Sequence, residues 1–165
     1  MEDIERRASL YAQRRGLDLG PRLGHGKDGT IFSTLGSPAG PTAVKSLRRH
    51  DLYLRELACY QRLAVYGVVE VCGHSVPQLL GHDDDLLIIE MTIVSRPFVL
   101  DFAGAFVDDP PEFPPEVMEE RHAHWADVFE DHWPAVQDIM ASLSKFGIHV
   151  LDPSPGNIAF GGDNE

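Results

Sequence analysis

Apolar residues recur along this chain with two different periods, and each change of period marks an element. Between positions 2 and 16, Ile4, Ala8, Tyr11 and Ala12 fall near one face of a helix while Arg6, Arg7, Arg14 and Arg15 fall elsewhere. Gly16 is a stop signal. From Leu17 to Leu35 the pattern is a strand, a glycine-bearing turn and a second strand, with the β-branched and aromatic run Thr30-Ile31-Phe32-Ser33-Thr34 in the second. The turn chemistry of Gly36-Ser37-Pro38-Ala39-Gly40-Pro41 separates these from a third strand, Thr42-Ala43-Val44-Lys45. Helical spacing returns from Leu52 to Tyr66 through Leu54, Leu57, Ala58 and Leu63. Two further apolar runs, Val76 to Leu80 and Leu86 to Met91, predict strands on either side of the polar turn His82-Asp83-Asp84-Asp85.

The remaining pattern is more broken. Prolines 110, 111, 114 and 115 cannot occupy a helix interior, so residues 95–118 predict a loop with short turns. A long helix is expected from Pro115 to Lys145, kinked at Pro134 and ended by Gly147. Trp125, Phe129 and Trp133 repeat at i, i+4, i+8 and belong to its core face. Ile148 to Leu151 and Ile158 to Phe160 read as short extended pieces. His122, His124 and His132 with Glu119 and Glu120 read as an acidic helix surface, because two residues apart on a helix His122 and His124 diverge.

Composition narrows the function classes. The 165 residues are 43% hydrophobic and 24% charged, an ordinary globular balance sufficient for one domain. No apolar run reaches the roughly 18 residues of a membrane span, and the charged start Met1 to Arg7 lacks a signal core, so a cytoplasmic location is expected. Cys59 and Cys72 read as small buried hydrophobes rather than a metal pair. The net charge of −12 is divided unevenly: up to Arg62 there are 11 basic and 7 acidic residues, and beyond it 3 basic and 19 acidic. The acidic half argues against a nucleic-acid partner; the basic half suits a phosphate ligand.

Three constellations carry candidate chemistry. Gly24-His25-Gly26-Lys27-Asp28-Gly29 is a G-x-G-x-x-G followed by a β-rich segment, not by the helix that a dinucleotide fingerprint requires. A glycine hairpin allows backbone N–H groups to lie close over phosphates, where a Cβ would obstruct. Downstream, Lys45 ends an Ala-Val-Lys strand, and Glu56 on the next helix is placed to hold it by an ion pair. Finally, Asp152 and Asn157 lie five apart in the proline-rigid loop Asp152-Pro153-Ser154-Pro155-Gly156-Asn157. Asp152 is a candidate to orient or deprotonate a hydroxyl nucleophile. Asn157 offers a hard oxygen suited to Mg²⁺.

In this order the motifs resemble the protein-kinase-like superfamily, over about Leu17 to Phe160. The resemblance implies an α+β fold with an antiparallel β-rich N-lobe and hinge (about 1–92) and a truncated helical C-lobe (about 93–165), together one domain. It implies ATP as ligand, with Gly24, Gly26, Gly29 and Lys45 on its phosphates and backbone groups of the hinge-like Glu90, Met91 and Thr92 at its adenine. It implies Lys45, Glu56 and Asp152 as catalytic residues, Asn157 as a Mg²⁺ ligand, and a protein or small-molecule hydroxyl as phospho-acceptor. Two departures stand out. Val150-Leu151 replaces the His-Arg that ordinarily precedes the aspartate, and no Asp-Phe-Gly follows Asn157 within the 165 residues, leaving Asp163 as the nearby acid. Two readings compete: a divergent, compact phosphotransferase, or a catalytically inactive, pseudokinase-like binding protein. A fragment of a longer kinase is a third.

Overall fold

Alternation along one strand organises the upper half of the molecule. In this computed structural model, which describes residues 2–102 and 104–162, five antiparallel strands stand in the order β1 (Asp18–His25), β2 (Gly29–Leu35), β3 (Thr42–Leu47), β7 (Ile88–Thr92) and β6 (Leu79–Asp83). Every residue of β3 is buried. Val44 points to one face, into a cluster with Ala8, Tyr11, Phe32 and Ile88 beneath α1 (Asp3–Arg14). Ala43 and Leu47 point to the other, into the larger core with Leu52, Leu57 and Leu63 of α2 (His50–Val65). The period of two therefore puts Lys45 on the face that looks at α2.

Helix α1 is fastened to the back of the sheet. Each of its large buried side chains, Ile4 and Tyr11, contributes roughly 1.5–3 kcal/mol on burial. Arg7 adds two hydrogen bonds, to Leu86 O at 2.6 Å and Leu47 O at 2.8 Å.

The lower half is built from short strands and two helices. β8 (Phe98–Val99) lies between β11 (Ile158–Ala159), antiparallel, and β5 (His74–Ser75), parallel; β4 (Glu70–Val71) completes that sheet. β9 (Ala105–Val107) pairs antiparallel with β10 (Ile148–Val150). α3 (Pro115–Phe129) is followed by a single 3₁₀ turn, Glu130–His132, and by α4 (Trp133–Lys145), whose Val136, Ile139 and Leu143 are buried.

Several expectations are corrected. The helix expected from Pro115 to Lys145 is two helices. It breaks at Glu130, which has φ +50°, and Pro134 sits harmlessly in the first turn of α4, where no backbone donor is needed. Leu86 and Leu87 belong to the turn before β7, with Leu87 at φ +54°, and the preceding strand begins at Leu79 rather than Val76. Residues 95–118 contain β8 and β9, too short to leave a periodic signal. Leu54 faces solvent rather than the core. Cys72 is exposed while Cys59 is buried, because Cys72 lies in the β4–β5 turn with φ +49°. Asp163 lies outside the described residues.

Candidate functional site

A cleft of about 940 Å³ opens between the two halves. The β1–β2 hairpin roofs it. Gly26 N–H donates to Gly29 O at 3.0 Å and closes the turn. The three glycines differ in what requires them. A Cβ on Gly29 would stand 2.5 Å from the backbone oxygen of Ser46, so this position is fixed by the fold. A Cβ on Gly26 would meet nothing within 4 Å, and one on Gly24 only the tip of Ile31, so their bare faces are left open toward the cleft.

Lys45 crosses the middle of the cleft. Its Nζ donates to Glu56 Oε1 at 2.9 Å and to Asp101 Oδ1 at 3.0 Å. Glu56 is fully buried. Burial works against the Lys45 charge, but the two carboxylates outweigh it and hold the ammonium above its usual range. Burial likewise pushes the Glu56 carboxyl up, against the pull of Lys45. A buried charge is tolerable only when paired in this way. Arg49 and Arg55 line the same cleft. The Arg55 guanidinium carbon stands 4.4 Å from the ring centre of Phe106, and its Nε is buried without a hydrogen-bond partner among the described residues.

The floor carries Asp152 and Asn157. Their loop is folded by two backbone bonds to Ser154 O, from Asn157 N and Ile158 N, both at 3.0 Å. It is tied to the segment of Asp101 from both sides. Leu100 N–H donates to Asn157 O at 2.9 Å, Ile158 pairs with Val99, and Val150 pairs with Ala105. Asp101 itself has φ +69°, a left-handed conformation that Asp tolerates better than most residues and that recurs at functional positions.

Of the residues singled out from sequence, Gly24, Gly26, Gly29, Lys45, Glu56, Met91, Thr92, Asp152 and Asn157 all line this cleft. Glu90 does not. Its carboxylate is buried on the opposite face, 3.3 Å from Tyr11 Oη, 3.2 Å from Arg15 Nη2 and 3.4 Å from Thr42 Oγ1. The cleft wall continues to Ile93 and Val94. The far-side placement of the Glu90 side chain follows from the strand period, since neighbours on β7 face opposite sides. The residue that sequence reasoning missed is Asp101. Its signal was present: Asp101-Phe102-Ala103-Gly104 reads Asp-Phe-x-Gly, but before Asp152 rather than after it.

A second, more open cavity of about 560 Å³ lies on the α3 side of the Asp152 loop. Phe106, Phe113, Val117 and Trp125 are among its walls, and Asp152 lines both cavities.

No protein-family model matches the chain, and no curated protein sequence does. Among solved structures, the chain is similar to the Rio2 kinase of Chaetomium thermophilum in its ADP/Mg²⁺–phosphoaspartate complex, with a TM-score of 0.40 and 17% identity. The likeness covers 74% of this chain and 39% of that one.

Proposed function

We propose that the chain is a compact, protein-kinase-like phosphotransferase that moves the γ-phosphoryl group of ATP to a hydroxyl acceptor. One observation carries the reading. A buried lysine, anchored by two carboxylates, stands between a glycine hairpin and an Asp–Asn loop in one cleft. In this reading residues 1–92 form the nucleotide-binding lobe and hinge, and residues 93–165 a reduced second lobe. Gly24 and Gly26 allow the backbone to approach the phosphates, and Lys45 neutralises their charge. Glu56 fixes Lys45, and the adenine lies against Met91 to Val94. Asp152 accepts the acceptor's proton as its oxygen attacks the γ-phosphorus.

The donor set fits Mg²⁺, which prefers hard oxygen ligands. Asp101 supplies a carboxylate and Asn157 an amide oxygen, from segments joined by the Leu100–Asn157 hydrogen bond. When bound, the ion supplies neutralisation of negative charge on the phosphates. The inactive, pseudokinase-like reading rests on the lack of an Asp-Phe-Gly segment between Asn157 and Glu165. Asp101, projecting into the same cleft from an upstream segment, weighs against it.

A thermal-shift titration tests the reading. A ligand that binds only the native state, at a hundredfold excess over its Kd, adds about 2.7 kcal/mol of stability. For a chain of this size that raises the melting temperature by roughly 5–10 °C. The expected result is a rise with ATP that grows when Mg²⁺ is added, with slow ATP turnover. No rise with ATP refutes nucleotide binding. A rise without metal dependence or turnover favours the inactive reading.

A further inference from the structure

The polar side chains that α1 turns toward the sheet stand in one row. Arg7 and Tyr11 lie on the helix and Arg15 at its C-terminal cap, spaced i, i+4 and i+8. Arg7 holds the backbone at the entrance to β7 through Leu86 O. Tyr11 and Arg15 both donate to Glu90 Oε2, at 3.3 and 3.2 Å, in the middle of that strand. Thr42 of β3 donates to Oε1 at 3.4 Å, and its hydroxyl is hydrogen-bonded in turn to that of Thr34. Glu90 is 1% exposed and Thr34 fully buried. Burial and the Glu90 carboxylate push the Tyr11 hydroxyl up to about 12, so it keeps the proton it donates at neutral pH.

Room for this contact is reserved in the sheet. A Cβ on Gly81, which pairs with Glu90 from β6, would stand 2.6 Å from Tyr11 Oη and 3.6 Å from Glu90 Oε2. Hydrophobic burial does not require an acid here. Val44, Ile88 and Phe32 fill the rest of this face, and an apolar residue among them would escape the cost of desolvating a charge. What the carboxylate adds is direction, because charge-assisted hydrogen bonds fix geometry in a way that apolar packing does not. The position it fixes bears on the cleft. Glu90 is the last buried polar side chain of β7, which ends at Thr92, and the next two residues, Ile93 and Val94, line the cleft.

We propose that α1 sets the base selectivity of the nucleotide site from behind the sheet. Tyr11 and Arg15 fix the Glu90 side chain, and Glu90 fixes the backbone from Met91 to Val94 against which the adenine lies. The inference rests on the phosphotransferase reading and adds the residues that decide which base is taken. Adenine presents an amino donor beside a ring acceptor, and guanine presents the reverse. A backbone held in register satisfies one pattern and leaves the other with unpaired polar groups, whereas a slack backbone adjusts to either. The side chains of Tyr11, Arg15 and Glu90 stand on the face away from the cleft, so they are positioning residues that touch no nucleotide.

Titration calorimetry with ATP and with GTP, each with Mg²⁺ and well below the melting temperature of every variant, tests the proposal. The proteins are the parent, Arg15→Gln, Arg15→Lys, Glu90→Gln and the double variant Arg15→Gln with Glu90→Gln. Arg15 is half-exposed, so its replacement leaves the buried face of α1 in place. The expected result is a preference of the parent for ATP over GTP of about tenfold or more, the scale of one lost hydrogen bond. Arg15→Gln and Glu90→Gln should each lower that preference about tenfold, through weaker ATP binding with GTP binding little changed. Arg15→Lys should retain most of it, and the double variant should be no worse than Glu90→Gln alone, since both act through one carboxylate. Equal affinity of the parent for the two nucleotides overturns the proposal. So does a preference that survives in the variants, or ATP and GTP binding that fall in step, whatever happens to the melting temperature; the network is then structural only. A parent that binds neither nucleotide overturns the phosphotransferase reading, and this inference with it.

Discussion

Lys45 and Asp101, 56 residues apart in the chain, meet at 3.0 Å inside the cleft. The contact brings a carboxylate from a segment upstream of the Asp152 loop onto the buried ammonium of Lys45. Asp101→Asn keeps the size of the side chain and removes its charge. We expect ATP alone to raise the melting temperature of this variant as in the parent, and the additional rise with Mg²⁺ to vanish. Turnover should fall by about 100-fold or more, the scale of losing a preorganised electrostatic contact. A variant that retains its Mg²⁺ response would show that Asp101 only braces Lys45.

The same contact bears on stability. Glu56 is fully buried against Lys45, so Glu56→Ala leaves the ammonium with Asp101 alone. Removing one member of a buried pair costs about 3–5 kcal/mol. Replacing both members with apolar residues of similar volume, as in Lys45→Met with Glu56→Leu, should cost much less, since two buried charges disappear together. Chemical denaturation of the three variants checks the order. The double variant should also lose ATP binding, which separates the functional use of the pair from its structural use.

The glycines of the hairpin give a sharper separation. Gly29→Ala drives a methyl group to 2.5 Å from Ser46 O, between two paired strands, and should lower the melting temperature. Gly26→Ala meets no atom within 4 Å and should leave the melting temperature within about 2 °C of the parent. Its effect should appear instead as weaker ATP binding, because the added methyl stands on the face left open to the phosphates. Thermal scans with and without ATP measure both. If Gly26→Ala binds ATP as the parent does, the hairpin is only a turn.

What could be read from sequence was what repeats locally. The helix of Ile4, Ala8 and Tyr11 and the helix bearing Glu56 have a periodic apolar face and formed within about two residues of the expected bounds, and the apolar run before Lys45 formed a strand that continues to Leu47. The ends of the Asp152–Asn157 loop were visible because two prolines and a glycine interrupt apolar runs. The Asp-Phe-x-Gly run at Asp101 was there to read, but its place beside Lys45 was not, because that depends on β8 and β9, strands of two and three residues paired with partners about 40–60 positions away. Such pairing leaves no period in the sequence. The side-chain direction of Glu90 was not legible for the opposite reason. Its strand was evident, but an apolar run buried on both faces does not say which residue faces which side, and Tyr11, Arg15 and Thr42 hold its carboxylate.

The two cysteines should behave differently toward a thiol reagent. Cys59 is completely buried, and burial pushes its thiol up to about 12. Cys72 is exposed in the β4–β5 turn. The native chain should therefore release about one equivalent of thionitrobenzoate from Ellman's reagent and the unfolded chain about two, since the thiolate is the reacting form. Cys72→Ser should abolish the native equivalent. Rapid reaction of both thiols in the native state would mean that the α2 core opens on the time scale of labelling.

Acid should loosen the junction between α2 and the end of α4. Arg62 of α2 holds Asp108 by two hydrogen bonds, at 2.9 and 2.8 Å, and donates a third to Phe146 O at 3.0 Å. Gly147 lies so close that a Cβ there would meet both Arg62 Nη1 and Asp108 Oδ1. The hydrogen bond from Arg62 holds the Asp108 carboxyl below its ordinary range. A carboxylate whose folded pKa is depressed contributes stability above its unfolded pKa, about 3.9, and that contribution is lost as pH falls through the folded value. Parent and Asp108→Asn should therefore differ by a constant amount at neutral pH, with the parent the more stable, and converge as pH falls below about 4. The pair is exposed, so high salt should shrink the difference. Urea denaturation at pH 7 and pH 3, with and without 1 M NaCl (a concentration at which charges beyond about 3 Å are screened), measures all of these. A difference that persists unchanged at pH 3 would assign the effect of the substitution to packing rather than to the ion pair.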